Sequence, residues 1–528
     1  MALTGGVTQP SLLDSLRVDL RSAVFTVESL IDLWGRDAAA ALQRGDRVPA
    51  ARALRALRQQ PIDMQAPDAR AARSTLAGVF VLGLPTDAAA LAAALPSLGV
   101  PGAVGLGLVA AEGSLLVPLM HLHPYGAVDG SGVVSWWIAS DLGESAVGGP
   151  LRVDHVLGVG GASSTLSGLM IGEPVDSALD LGTGCGIQAM HAARHARRVV
   201  ATDISERALF YAAMNAELNG IRSIEFRLGS LFEPVAGERF DQIVSNPPFV
   251  VTPRGVDVPM YEYRDGGMAG DSLLAAVVSQ VADHLTVGGT AQLLGNWEHH
   301  PDADGLDRVA TWVAEGGDDD ANLDAPGLDL WAIERDRQDP ALYAATWIRD
   351  GGRRGARETE DLTGLWLDDF EARSVTAVGF GYLLLRRGGG GLRRLERLDG
   401  ALGHNATGLG AIVAAGFAAH DRLAATSDDA LFRSHLAVAS DVTEHRHYWP
   451  GDEHPTVMTL QQGGGFGRAV ALDTELAAFV GACDGDLPAG AISDAIADLL
   501  QTDAAALRLH LLPSMRELVL TGFLLITS

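Results

Sequence analysis

The sequence predicts an α/β fold in which a seven-stranded parallel sheet is flanked on both sides by mainly helical regions. Between residues 150 and 387, short apolar runs alternate with helical stretches, which is typical of a parallel sheet covered on both faces. The chain has 528 residues and is too long for one ordinary domain. Its 47% apolar and 20% charged residues match an ordinary globular composition. We therefore expect several folded units around one sheet domain.

Changes in sequence pattern predict three domains. Residues 1–149 indicate helices followed by a hairpin, and residues 392–528 indicate mainly helices, so that both flanks are winged-helix-like. The sheet domain is expected at residues 150–387, and the glycine run 388–391 is expected to end it. The strands of the sheet are predicted at residues 177–181, 199–203, 224–228, 241–245, 290–294, 328–334 and 378–385, and the N-terminal hairpin at 104–109 and 115–119.

The charge balance bears on the kind of partner. The chain has 39 basic and 66 acidic residues and a formal net charge of -27. A strongly negative surface repels nucleic acid unless a local arginine patch overrides the long-range field. The charge therefore favours a partner other than bare nucleic acid.

The sequence indicates no metal site. Cys185 and Cys483 are far apart and fit neither a disulfide framework nor a zinc-ligand spacing. His445, His447 and His454 share one stretch with aromatic residues, and imidazoles are common metal ligands. Nothing in the surrounding sequence organises these histidines, so a surface loop explains them.

The sequence also indicates no membrane contact. The first thirty residues contain Asp14, Arg17, Asp19 and Arg21 without a continuous apolar core, which argues against a secretory signal. No stretch of eighteen uncharged apolar residues resembles a membrane span. A cytoplasmic protein is expected.

A glycine-rich turn follows the first predicted strand of the sheet. Gly182, Gly184 and Gly186 stand at alternate positions, where the missing Cβ atoms let the backbone approach a ligand closely. Asp203 ends the second strand, 21 residues after Gly182, where a carboxylate can accept hydrogen bonds from ribose hydroxyls. These features indicate an adenosine cofactor, either a nicotinamide dinucleotide or S-adenosylmethionine.

The tetrapeptide Asn246, Pro247, Pro248 and Phe249 distinguishes these two cofactors. It follows the fourth strand, at the carboxyl edge where open α/β sheets bind their ligands. The adjacent prolines fix the backbone and carry no amide hydrogens. The Asn246 side-chain oxygen and a neighbouring carbonyl can accept both hydrogens of an NH2 group, and Phe249 can stack on that planar group. This arrangement favours methyl transfer from S-adenosylmethionine.

These motifs resemble the class I S-adenosylmethionine-dependent methyltransferases that modify planar nitrogens. That group includes N6-adenine and N2-guanine methyltransferases and the glutamine-N5 methyltransferases of release factors. The resemblance covers roughly residues 150–387 and implies a Rossmann-like domain with Asn246, Pro247, Pro248 and Phe249 as catalytic residues. The cofactor-binding residues that it implies are Asp180, Gly182, Thr183, Gly184, Gly186, Asp203, Ile204, Ser230, Leu231 and Asn246.

Two further segments resemble the release-factor branch. Residues 229–234 are similar to the segment that lines its adenine pocket, although that branch usually carries an acid where Ser230 stands. Residues 263–267, followed by Gly270 and Asp271, resemble its glycine-rich loop after the catalytic motif. The expected acceptor is therefore the N5 amide of a protein glutamine. The exocyclic amine of a nucleobase in rRNA, tRNA or DNA is the alternative, and a non-catalytic S-adenosylmethionine-binding protein is a third reading. The sequence leaves the oligomeric state open.

Overall fold

A computed structural model describes residues 10–58, 69–147, 151–248, 250–253, 268–315, 327–350 and 355–527. Phe249 and the predicted loop at 263–267 lie outside the described residues. The described chain forms a central sheet between two flanking regions of helices and small antiparallel sheets.

The N-terminal region consists of packed helices followed by antiparallel strands. The predicted hairpin is partly wrong, because residues 99–105 are helical and the first strand begins at Val109. Pro101 lies in the first turn of that helix, where its missing N–H costs no hydrogen bond, and Gly107 then turns the chain with a φ of +69°. The elements are α1 Pro10–Ser22, α2 Val27–Trp34, α3 Arg36–Gln43, α4 Val48–Arg58, α5 Ala69–Leu76 with a π-helical turn Ala77–Val81, β1 Thr86–Asp87, α6 Ala88–Ala94, α7 Gly99–Gly105, β2 Val109–Glu112, β3 Leu115–Pro118, β4 Met120–Asp129, β5 Gly132–Asp141 and α8 Glu144–Val147.

The central sheet contains all seven predicted strands. Its strands are apolar because helices cover both faces, and residues such as Leu179, Val200, Ile243 and Leu293 are fully buried. Its elements are α9 Gly161–Leu169, β6 Val175–Leu181, α10 Ile187–Ala192, β7 Ala196–Asp203, α11 Glu206–Leu218, β8 Ile224–Leu228, a 3-10 turn Glu233–Val235, β9 Phe240–Ser245, α12 Ser272–His284, β10 Leu285–His299, α13 Gly305–Glu315, β11 Leu328–Gln338, α14 Pro340–Asp350, α15 Ala356–Ala372 and β12 Ala377–Arg387.

The sheet has eight strands rather than seven, because it continues beyond the glycine run 388–391. Strand β13, Arg393–Arg397, pairs in parallel with β11, and the strand order is β13-β11-β12-β10-β9-β6-β7-β8. The predicted parallel arrangement is wrong for β12, which pairs antiparallel with both β10 and β11. Its charged sequence lacks the apolar signature of a strand. Ion pairs hold it instead: Arg397 Nε donates to Glu334 at 2.8 Å, and Glu396 accepts from Arg468 at 2.6 Å.

The C-terminal region follows this strand and packs around its own apolar core. Arg394 of β13 pairs with Glu517 at 2.6 Å, which ties this region to the sheet. The elements are α16 Gly410–Ala425, α17 Asp428–Arg433, β14 His435–Val438, β15 Val442–His447, β16 Val457–Gln462, β17 Ala469–Leu472, α18 Thr474–Gly481, β18 Asp484–Pro488, α19 Ala489–Leu500, α20 Ala504–Leu520 and β19 Leu524–Ile526.

One hydrophobic core joins the N-terminal region to the sheet domain. It contains fully buried Leu16 and Phe80 from the N-terminal helices together with Met190 of α10 and Met214 of α11. The helices that follow the glycine-rich turn and Asp203 are therefore covered by residues from the N-terminal region.

No single helix in the described ranges is long and apolar enough to cross a membrane. One helix pair, α6 and α7, meets the criteria of length and composition only when its two members are taken together, and these helices meet at 93°.

Candidate functional site

The glycine-rich turn lies between the end of β6 and the start of α10. The backbone amides of Gly182 and Thr183 both donate to Thr202 O, at 3.0 and 2.9 Å, which fastens the turn to β7. Gly182 and Gly184 adopt φ angles of +75° and +54°, in the left-handed region that favours glycine. A Cβ added to either glycine would meet no atom within 4 Å, so both leave open space beside the backbone.

The buried side chain of Asp180 holds this turn in place. Its carboxylate is buried and accepts from Thr183 Oγ1 at 2.5 Å and from the amide of Ala189 at 2.9 Å. Burial raises the pKa of Asp180 to about 7, although both hydrogen bonds act in the opposite direction. Asp180 therefore joins the turn to α10.

Asp203 at the end of β7 faces the same turn. Its two carboxylate oxygens accept from the amides of Gly184 and Ser205, each at 2.9 Å. Burial raises its pKa, against the hydrogen bonds from these amides. A carboxylate has about four acceptor positions, so Asp203 keeps acceptor capacity for hydroxyl groups.

Gly186 contributes to the packing of two helices and does not line the cavity of the site. Its φ is +86°, and a Cβ there would come within 2.9 Å of Ala212 Cα. It does not line the cavity that the other predicted residues surround. Gly186 thus allows the start of α10 to approach α11 closely.

Asn246 follows β9 at the carboxyl edge of the sheet. Ser245 is fully buried, and its hydroxyl donates to Leu181 O at 2.7 Å, which holds the end of β9 against β6. Pro247 is buried and Pro248 is half-buried. The Asn246 Oδ1 atom is buried and has no hydrogen-bond partner among the described residues. A buried acceptor without a donor is costly, so this oxygen is available to accept a hydrogen bond from a molecule in the cavity.

A cavity of about 420 Å³ connects these groups. Leu231 lines it with a φ of +47°, a strained conformation for a leucine of the kind that occurs at binding sites. Ile204 also lines it and is 65% exposed, an apolar side chain open to a ligand. The predicted residues that line the cavity are Asp180, Gly182, Thr183, Gly184, Asp203, Ile204, Ser230, Leu231, Asn246, Pro247 and Pro248.

Sequence reasoning missed one rim of this cavity, the segment before and within the start of α9. Asp141, the last residue of β5, holds this segment by accepting from the amide of Val156 at 2.9 Å. Burial alone would raise the pKa of Asp141, but hydrogen bonds from Arg207, Val156 and Tyr211 lower it. The rim residues are His155, Val156, Leu157, Gly158, Gly160, Gly161, Ala162 and Ser163.

Trp347 of α14 also lines the cavity and was not predicted. It lies about 100 residues after Asn246 in sequence, and no motif surrounds it. Only the tertiary fold brings it to the site.

Within the described residues, the histidines singled out by the sequence do not share a metal site, and His445 and His447 lie on strand β15 rather than in the expected loop. The side chains of His445, His447 and His454 are exposed. Within the described ranges, the one group with ligand atoms close enough to share a metal is Asp473, Glu475 and His510, whose atoms lie within 4.8 Å of one another.

Known proteins match parts of this chain. Residues 161–260 match the model of the methyltransferase small domain, and residues 22–119 match the model of a domain of unknown function (DUF7059). A release factor glutamine methyltransferase from Xylella fastidiosa is 49% identical over 128 residues, which are 22% of this chain and 46% of that protein. A ribosomal protein uL3 glutamine methyltransferase from Bradyrhizobium diazoefficiens is 34% identical over 153 residues, which are 27% of this chain and 46% of that protein.

The chain thus spans less than half the length of both relatives. Among solved structures, a ribosomal protein L11 methylase from Lactobacillus delbrueckii subsp. bulgaricus aligns with 44% of this chain and 81% of its own at 20% identity, with a TM-score of 0.25.

The sheet and the small-domain match define an S-adenosylmethionine-dependent methyltransferase domain. In sequence, this domain resembles the release factor glutamine methyltransferases. The glycine turn and Asp203 fit the methyl donor, because they combine open backbone with free acceptor capacity.

Proposed function

We propose that this chain transfers a methyl group from S-adenosylmethionine to the N5 amide nitrogen of a glutamine in a protein. The observation that carries this proposal is the buried Oδ1 of Asn246, which has no donor among the described residues and lines the cavity. A primary amide presents two N–H donors on a flat group, and such a donor satisfies this oxygen. The relatives named as glutamine methyltransferases of release factors and of ribosomal protein uL3 support the choice of acceptor.

Three groups of residues would hold the donor. Asp203 would accept hydrogen bonds from the ribose hydroxyls, the turn at Gly182 and Gly184 would lie against its polar end, and Ile204, Ser230 and Leu231 would enclose its adenine. The bound donor supplies an activated methyl group on a positively charged sulfur.

Asn246 and the backbone beside it would orient the acceptor. Accepting both N–H hydrogens fixes the plane of the amide and directs the nitrogen toward the methyl group, which contributes through proximity and orientation. The same oxygens stabilise the positive charge that develops on nitrogen as the bond between the methyl group and sulfur breaks. The nitrogen, which has then become acidic, loses one of its two protons. Pro247 and Pro248 add stiffness without competing hydrogens.

Labelled donor separates the possible acceptors. We expect the purified chain to label a recombinant release factor at a glutamine side chain, detected by mass spectrometry of its peptides. Total RNA from the same cells serves as the second acceptor. Label in RNA with none in the release factor would overturn the glutamine assignment in favour of a nucleobase amine. Binding of donor without any transfer to total cell extract would indicate a non-catalytic protein.

A further inference from the structure

Two helices are inserted at the edge of the sheet that carries Asn246. Strands β11 and β12 are antiparallel neighbours, and Gln338 at the end of β11 pairs with Val378 near the start of β12. Such neighbours need only a two- to five-residue turn, yet α14 and α15 intervene. The insertion projects from the carboxyl edge of the sheet. The last residue of β10, His299, pairs with the first residue of β12, Ala377, so β12 begins where β10 ends.

The inserted helices build a core that includes the residues after the tetrapeptide. Val250 and Val251 are 5% and 1% exposed and belong to this core rather than to the core of the sheet. Aromatic rings dominate the core, and the Tyr343 ring lies 5.9 Å from both Trp366 and Phe370. The chain leaving Asn246 is therefore packed against the insertion.

Tyr343 and Trp347 connect this core to the cavity. They lie one helical turn apart on α14, so their side chains share one face, and their ring centroids are 6.0 Å apart. The Tyr343 hydroxyl accepts from the amide of Val251 at 3.0 Å and from Asn296 Nδ2 at 2.6 Å. Trp347 lines the cavity together with Asn246 and Pro248.

We propose that the α14–α15 insertion is the acceptor-recognition element, in which Trp347 forms the wall that contacts the acceptor and Tyr343 positions the segment behind Asn246. This inference rests on the proposed function. A large indole beside a primary-amide site offers a flat apolar surface for the acceptor side chain. The proposed donor-binding residues lie at the ends of β6 and β7 and in the loop after β8, whereas α14 follows β11, on the other side of β9 in the strand order. We therefore expect Trp347 to contact the acceptor rather than the donor.

The test compares Trp347→Ala, Trp347→Phe and a control, Trp449→Ala, whose tryptophan is 69% exposed and does not line the cavity. Release factor and total RNA are each titrated as acceptor, and donor affinity is measured by calorimetry. Trp347→Ala should raise the KM for the acceptor about threefold to tenfold, the loss expected for one aromatic contact, while donor affinity stays constant. Trp347→Phe should recover most of this loss, and Trp449→Ala should show none.

An unchanged acceptor KM in a Trp347→Ala protein that still binds donor would overturn the inference. Equal losses of donor and acceptor affinity would also overturn it, because they would show a structural role. The wild-type protein tests the proposed function separately. If it labels RNA and not release factor, the glutamine assignment is wrong, and the KM for RNA then decides the role of Trp347.

Discussion

Asn215 of α11 exchanges two hydrogen bonds with Ala139 of β5: the Ala139 amide donates to Asn215 Oδ1 at 2.7 Å, and Asn215 Nδ2 donates to Ala139 O at 2.9 Å. Asn219, one turn later, forms the same pair of bonds with Trp137. Asn215 and Asn219 are four residues apart on a helix, which corresponds to a rise of about 6 Å. Trp137 and Ala139 are two residues apart on a strand, which corresponds to about 6.6 Å. The spacing of the two asparagines therefore matches the spacing of the free backbone groups along the edge of β5. A helix thereby completes the hydrogen bonding of a strand edge.

Replacing Asn215 with Ala should destabilise the chain by at least about 2 kcal/mol. The change leaves the amide and carbonyl of Ala139 and the carbonyl of Cys185 without partners in a buried place, each at about 1–3 kcal/mol. Urea unfolding measures the effect. Asn219→Ala is the control and should cost less, because its bonds are only partly buried and water can replace them. Equal losses in the two variants would contradict this account.

Gly186→Ala should destabilise the protein more than Gly237→Ala. Both glycines have positive φ, +86° and +79°, so each substitution costs about 1–2 kcal/mol in backbone strain. Only at position 186 does the new Cβ also meet backbone, at 2.9 Å from Ala212 Cα, whereas position 237 is open. The difference between the melting temperatures of the two variants measures the destabilisation caused by the steric contact. Similar melting temperatures would mean that α10 and α11 can move apart at little cost.

Asp203→Ala should weaken donor binding about ten- to a hundredfold, since hydrogen bonds to a charged acceptor contribute about 1.5–3 kcal/mol. Calorimetry with S-adenosylmethionine measures this change. The matched control is Asp176→Ala, whose side chain is 74% exposed at the start of β6. Donor affinity that stays at the wild-type value in Asp203→Ala would remove Asp203 from the site.

Asn246→Ala should reduce turnover on the order of 10²–10³ with little effect on donor affinity. The residue follows β9, whereas the proposed ribose contact lies at the end of β7, so the substitution removes only the acceptor-orienting oxygen. Single-turnover transfer and calorimetry on the same preparation separate the two effects. Near-full turnover would contradict the orientation mechanism, and loss of donor binding would contradict the separation of the two sites.

Asp180 should make stability depend on pH in the absence of donor. Its native pKa of about 7 lies above the ordinary 3.8, so the native state binds more protons than the unfolded state between these values. The contribution of Asp180 to the free energy of unfolding is fully present below about pH 4 and is lost as the pH rises through 7. Between these values the free energy of unfolding should fall by about 1.4 kcal/mol per pH unit. Asp180→Asn keeps an oxygen for both donors and should remove this slope, as urea unfolding from pH 4.5 to 8 would show. A slope shared by both proteins would contradict the assignment.

The sheet could be predicted because most of its strands are apolar runs and because helical patterns separate them. The eighth strand could not, because β13 is charged and is held by Arg397 to Glu334 and by Glu396 to Arg468. Those partners are distant in sequence, and no local pattern reveals them. The N-terminal hairpin was misplaced because the glycine-rich stretch around Pro101 fits both a strand and a short helix.

The donor half of the site was predictable from local motifs, since the glycine turn and Asp203 each occupy a fixed place relative to a strand. The rim at His155 and the wall at Trp347 were not, because they reach the cavity through tertiary packing. The unpartnered Oδ1 of Asn246 also needed the structure, which alone shows which polar atoms lack partners.

The separate core around Val250 and Val251 has a consequence for local unfolding. Because this core shares no residue with the main core of the sheet, we expect α14 and α15 to open without disturbing the turn at Gly182. We expect amide hydrogen exchange to show lower protection in α14 and α15 than in β6 and β7. On warming, the protein should then stop methylating its acceptor at a temperature at which it still retains the donor.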